Sequence, residues 1–154
     1  MRPLVGAVLV WALVSPVSAD VVRKQVDAVR WFEGCAALTQ NAAGMMMDGH
    51  CVSKALEYCI YGRTEPARPA CWNEVEAFVR QKIEEISAAL PMEIAATGFT
   101  GGRYKRTYRR LTDDEKDATC PPDVPVAACP AFLSGVRWME WRDLERLVEQ
   151  EANE

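Results

Sequence analysis

The sequence predicts an all-α fold: a small disulfide-stapled helical bundle with a Pro/Gly-rich insertion. Three observations predict it. Apolar residues recur at spacings of three and four along several stretches, the period of an amphipathic helix. No stretch of useful length alternates apolar and polar residues as a half-buried strand would. Six cysteines, Cys35, Cys51, Cys59, Cys71, Cys120 and Cys129, all follow a leader-like N-terminus. The chain has 154 residues, 49% hydrophobic and 26% charged, which fits one ordinary globular domain.

Residues 1–19 have the form of a secretory signal. Arg2 supplies the positive charge, residues 4–14 form an apolar run, Pro16 breaks it, and Val17-Ser18-Ala19 offers small residues for cleavage. Cleavage after Ala19 leaves a single domain over residues 20–154, with 17 basic against 22 acidic residues and a formal charge of −5. That sign and size argue against a nucleic-acid binder. No later stretch reaches the roughly 18 apolar residues of a membrane span. The expected location is periplasmic or secreted, with no stable span after cleavage.

An even cysteine count in a small exported domain predicts a disulfide framework. Proximity along the chain favours Cys35–Cys51, Cys59–Cys71 and Cys120–Cys129 among the 15 possible pairings. No C-x-x-C occurs, so no zinc site is expected.

Taken in order, residues 20–38 predict a helix with Val22, Val26, Val29, Phe32 and Ala36 on one stripe. Residues 41–49 read as a break, with Gly44 and Gly49 flanking Met45-Met46-Met47-Asp48. Residues 51–61 predict a short helix with Val52, Ala55, Leu56, Cys59 and Ile60 inward. Residues 62–69 hold Gly62, Pro66 and Pro69 and predict a loop. Residues 71–90 give the clearest helix, with Trp72, Val75, Val79, Ile83, Ile86 and Leu90 in register, ended by Pro91.

Residues 98–130 read as an irregular insertion. It opens with a flexible glycine cluster over 97–102. A basic run follows over 103–110, interleaved with Tyr104 and Tyr108, and Asp113, Asp114, Glu115 and Asp117 balance it. Four prolines between 120 and 130 keep its end irregular. A last helix over 131–149 puts Leu133, Val136, Trp141, Leu144, Leu147 and Val148 on one face, interrupted by Arg137 and Glu140.

The spacing of Cys35, Cys51, Cys59 and Cys71 before a long amphipathic helix, together with Trp138-Met139-Glu140-Trp141-Arg142-Asp143, resembles the exported bacterial LprI-like family. Its namesake is a lysozyme inhibitor. The resemblance covers residues 35–90 and 133–147. It makes Trp138, Trp141, Arg142 and Asp143 a family motif and implies a binding protein that catalyses nothing and needs no cofactor. The implied partner is a lysozyme-type muramidase. The family's Asn and Tyr on the long helix are absent around Ile83, Glu84 and Ser87, and Arg146 stands where the family often has a cysteine.

Catalytic signals are sparse. His50 is the sole imidazole, its neighbour Cys51 is expected in a disulfide, and no G-x-S-x-G elbow is present. Met45, Met46, Met47 and His50 offer soft ligands for exported copper, the rival to the binding reading. Three adjacent methionines cannot share one direction, so core packing is the expectation for them and no metal site is assigned. A structural or stress protein of the cell envelope is the third reading. For partner contact, the 62–69 loop is favoured: it is tethered by Cys59 and Cys71 and carries Arg63, Glu65 and Arg68, with Glu65 placed to meet a cationic enzyme.

Overall fold

The computed structural model describes residues 26–39, 44–113 and 119–153; the expected leader over residues 1–19 lies outside them. The described chain is helical with no strand, as expected from the periodicity. Its helices are α1 (Ala28–Leu38), α2 (Met45–Tyr61), α3 (Arg68–Ala89), α4 (Gly98–Thr112) and α5 (Cys129–Ala152). None is long and apolar enough to cross a membrane.

Local chemistry sets the ends. Asp27 caps α1, its carboxylate accepting from the Arg30 amide at 3.1 Å. α2 begins six residues earlier than the sequence predicts, at Met45 rather than 51. Gly44 has φ +84 and turns the chain into the helix, while Gly49 sits inside it under Met139, whose Sδ would lie 3.5 Å from an added Cβ. The 62–69 segment is only partly a loop. A 3-10 turn spans Glu65–Ala67, and Pro69 starts α3, where its missing N–H costs nothing.

The largest correction concerns 98–130. Its first half is not irregular: residues 98–112 form α4. Tyr104, Tyr108 and Leu111 follow a spacing of four and three and pack on α5, a stripe hidden among the cations. Gly101 serves a close approach, since a Cβ there would lie 2.0 Å from the Ala96 carbonyl oxygen. Only the second half remains irregular, closed by Cys120–Cys129 with a 3-10 turn at Val126–Ala128. Of the acids expected to balance the basic run, Asp114, Glu115 and Asp117 lie outside the described residues. Arg103 pairs with Asp143, Lys105 with Glu93 at 2.6 Å and Arg110 with Glu140 at 2.8 Å. Such exposed pairs add little stability, because solvent screens their charges. Arg137, which dents the α5 stripe, donates to the Leu111 carbonyl instead.

Two cores result. One joins α1, α2, α3 and α5 through Phe32, Val52, Ala55, Trp72, Val75, Val79 and Trp138. The other joins α4 to α5 through Tyr104, Leu111, Trp141 and Leu144. Ile83 and Ile86 are half-buried and touch both. Burial pushes the Tyr104 phenol up to about 12, and its hydroxyl donates to the Pro91 carbonyl at 2.5 Å.

Three disulfides staple the first core and the last connection. Cys35–Cys51 ties α1 to α2 and Cys59–Cys71 ties α2 to α3, each with Cα atoms 5.6 Å apart. Cys120–Cys129 closes the segment before α5. Loops of this size make each bridge worth about 3 kcal/mol in the chain-entropy picture.

α2 crosses α5 at Gly135. A Cβ there would lie 2.4 Å from Val52 Cγ1, and the branched Val52 side chain cannot swing aside. Gly135→Ala should therefore lower stability by about 1–3 kcal/mol through overpacking. Val52→Ala in the same chain should recover part of that loss. Chemical denaturation of the three variants checks this; equal stability of Gly135→Ala and the parent contradicts the crossing.

Candidate functional site

Where α1 and the far halves of α3 and α5 meet, the side chains become small. Ala36 and Ala37 on α1 and Ala89 on α3 leave a cleft of about 410 Å³. Its volume falls in the range of small-ligand pockets. The floor is aromatic. Phe32 lies edge-on to Trp138 with centroids 4.7 Å apart, and Phe78 closes on Phe32 at 6.0 Å.

Charged groups ring that floor. Lys82 stands 5.4 Å over the Phe78 ring and pairs with Glu85 at 2.7 Å. Arg142 lies 5.5 Å from the Trp138 ring, donates to Glu145 at 3.1 Å and reaches the Ala36 carbonyl at 3.3 Å. Both cations follow their aromatic by four residues, so helical geometry lays each over its ring. The Arg142 Nε is buried without a hydrogen-bond partner. Glu33 completes the rim from α1, exposed and unpaired among the described residues. Three carboxylates thus face two cations. Burial pushes the Glu145 carboxyl above the usual carboxylate range; Arg142 opposes this, and Glu149 adds to it.

Beneath the cleft lies a buried polar node. Asp48 is fully buried; it accepts from Arg146 at 2.6 Å and from the Thr39 hydroxyl at 2.8 Å. Arg146 also reaches the Thr39 carbonyl at 3.3 Å. Two arginines of α5 therefore meet the C-terminal carbonyls of α1, where the helix dipole favours positive charge.

The structure divides the sequence motif near the C-terminus. Trp138 and Arg142 belong to the cleft. Trp141 points the other way, 5.5 Å from Tyr108 in the α4–α5 core, and Asp143 pairs with Arg103 on α4. Arg63, Glu65 and Arg68 sit at the opposite end of α3, roughly 25 Å away by helix rise. Arg68 serves the fold there, donating to the Ile60 carbonyl at 3.1 Å, and Arg63 bonds the Gly62 carbonyl, while Glu65 is exposed. All six cysteines are in disulfides. His50 lies on α2 rather than in a loop, and Met45, Met46 and Met47 are exposed rather than packed in the core.

Sequence reasoning missed Phe32 with Glu33, Phe78 with Lys82, and Glu85 and Glu145. The aromatic-then-cation spacing of four, present at Phe78/Lys82 and again at Trp138/Arg142, was the available signal. No family model, curated protein or solved structure matches this chain.

A pH dependence follows from Glu145. A carboxyl whose folded value is raised adds stability that is full below the usual carboxylate value and fades as pH rises through the raised one. Glu145→Gln should thus melt above the parent at pH 7, and its advantage should vanish on acidification to pH 4. Calorimetry across that range checks it; an advantage for the parent that grows with pH contradicts it.

Proposed function

We propose that this is an exported, non-catalytic binding protein whose α1–α3–α5 cleft takes a cationic side chain from a protein partner. The observation that carries the reading is the pairing of an aromatic floor with a rim of three carboxylates against two cations. A guanidinium or ammonium gains from the carboxylate charge, while Lys82 and Arg142 already cover the Phe78 and Trp138 rings. Glu33 is the group that would meet it, since Glu85 already accepts from Lys82 and Gln81, and Glu145 from Arg142. Those same bonds argue for binding over catalysis, because they engage the carboxylates that would otherwise move protons.

The resemblance to the LprI-like family names the partner: a cationic, lysozyme-type muramidase. A chain of charge −5 after leader cleavage would speed encounter with such an enzyme. Three disulfides suit the oxidising compartment where muramidases act, periplasmic or secreted. The cleft is a better contact than the Glu65 turn, which offers one carboxylate between two arginines.

The test is inhibition of a cationic muramidase by the oxidised protein. Glu33→Lys should weaken inhibition at least tenfold, about 1.4 kcal/mol. Because Glu33 is exposed and, among the described residues, unpaired, stability should stay within about 0.5 kcal/mol. Glu65→Lys should change inhibition less than twofold. No inhibition by the parent, or an inert Glu33→Lys, overturns the reading.

A further inference from the structure

The first turn of α2 exposes apolar side chains that packing does not explain. Met46 is 85% exposed, and Met45 and Met47 are 43% and 45% exposed. One turn later on the same helix stands His50, also exposed. Helical rotation of about 100° per residue places His50 about 40° from Met46 and about 60° from Met47, between the two. It stands about 6 Å and 4.5 Å further along the axis. Helical side chains lean toward the N-terminus, which tips the imidazole over the turn that carries both thioethers. Met45 is about 140° away from His50. Its side of the helix is the one on which Gly49 packs against Met139. The buried residues Asp48, Cys51, Val52 and Ala55 lie on the opposite face.

We propose that Met46, Met47 and His50 form a binding site for a soft monovalent cation, Cu(I), for which Ag(I) is a redox-inert analogue. Two thioether sulfurs and one imidazole nitrogen make an uncharged three-donor set, which suits Cu(I) and offers little to hard cations. Convergence of two methionines with one histidine is all the site needs, so the adjacency of three methionines is no obstacle. The surroundings favour the soft ion further. Among the described residues no three His, Cys, Asp or Glu side chains converge to hold a harder metal. The Asp48 carboxylate in the same turn is buried and held by Arg146 and Thr39. Every cysteine is in a disulfide, so no thiolate competes. The site faces solvent on α2, which contributes no residue to the cleft, so it stands or falls independently of partner binding.

Titration of the disulfide-bonded protein with Ag(I), followed by NMR of the methionine ε-methyls and the histidine ring, tests the site. The Met46 and Met47 methyls and the His50 ring should shift together and saturate at one equivalent, while Met45, Met92 and Met139 stay in place. Competition with a chromophoric Cu(I) chelator should show affinity lowered at least 30-fold by Met46→Leu/Met47→Leu and by His50→Gln. Met45→Leu should leave it unchanged. All these side chains are exposed, so circular dichroism should report an unaltered fold in each variant. Absence of shifts at one equivalent, equal shifts at every methionine, or parental affinity in Met46→Leu/Met47→Leu overturns the proposal.

Discussion

The bond between Asp48 and Arg146 is the constraint on which the arrangement of α1, α2 and α5 rests. A carboxylate with no exposed surface is costly unless its charge and lone pairs are met. Here a guanidinium 2.6 Å away and a hydroxyl 2.8 Å away meet them. The same guanidinium takes the Thr39 carbonyl, so one side chain of α5 closes the end of α1 and the start of α2. One turn earlier, Arg142 repeats the pattern on Ala36. An ion pair of this kind adds little net stability over a packed apolar pair, but losing one partner strands the other at about 3–5 kcal/mol. Its role is therefore specificity. It fixes where α1 ends, and so where the wall of the cleft stands.

α5 works on two sides, and this explains why a compact sequence motif becomes two structural ones. Trp138 and Arg142 are four residues apart and share the cleft side. Trp141 and Asp143 turn toward α4, one into its core and the other onto Arg103. The basic run is thereby largely used within the fold: Arg103, Lys105 and Arg110 all meet carboxylates. Its tyrosines form the buried side of the same helix. The rim around the aromatic floor, by contrast, carries three carboxylates against two cations.

Legibility in the sequence tracked how local each signal was. α3 was readable because its apolar stripe repeats over about five turns. α5 was readable as a helix although Leu133 and Val136 of its expected stripe join neither core, and the cysteines paired consecutively along the chain. α4 was not readable as a helix. Its stripe is only Tyr104, Tyr108 and Leu111, and Gly101, which looks like flexibility, is required by the approach of Ala96. The start of α2 was missed because Gly49 signalled a break but lies inside the helix. Arg137 and Glu140 looked out of place because their partners, Leu111 and Arg110, lie more than 25 residues away. Half of the cleft could be anticipated from Trp138 and Arg142. The other half, Phe32 and Glu33 on α1, depends on a tertiary contact that spacing does not encode.

The central claim is that the buried Asp48–Arg146 pair holds α1 against α5 and so maintains the cleft. Amide hydrogen exchange in Asp48→Asn measures this most directly, since the substitution keeps the shape and removes the charge. The account predicts a selective loss of protection in the last turn of α1 and the first turn of α2, with α3, α4 and the α4 side of α5 protected as in the parent. Unchanged protection at the end of α1, or a uniform loss across all five helices, would contradict it.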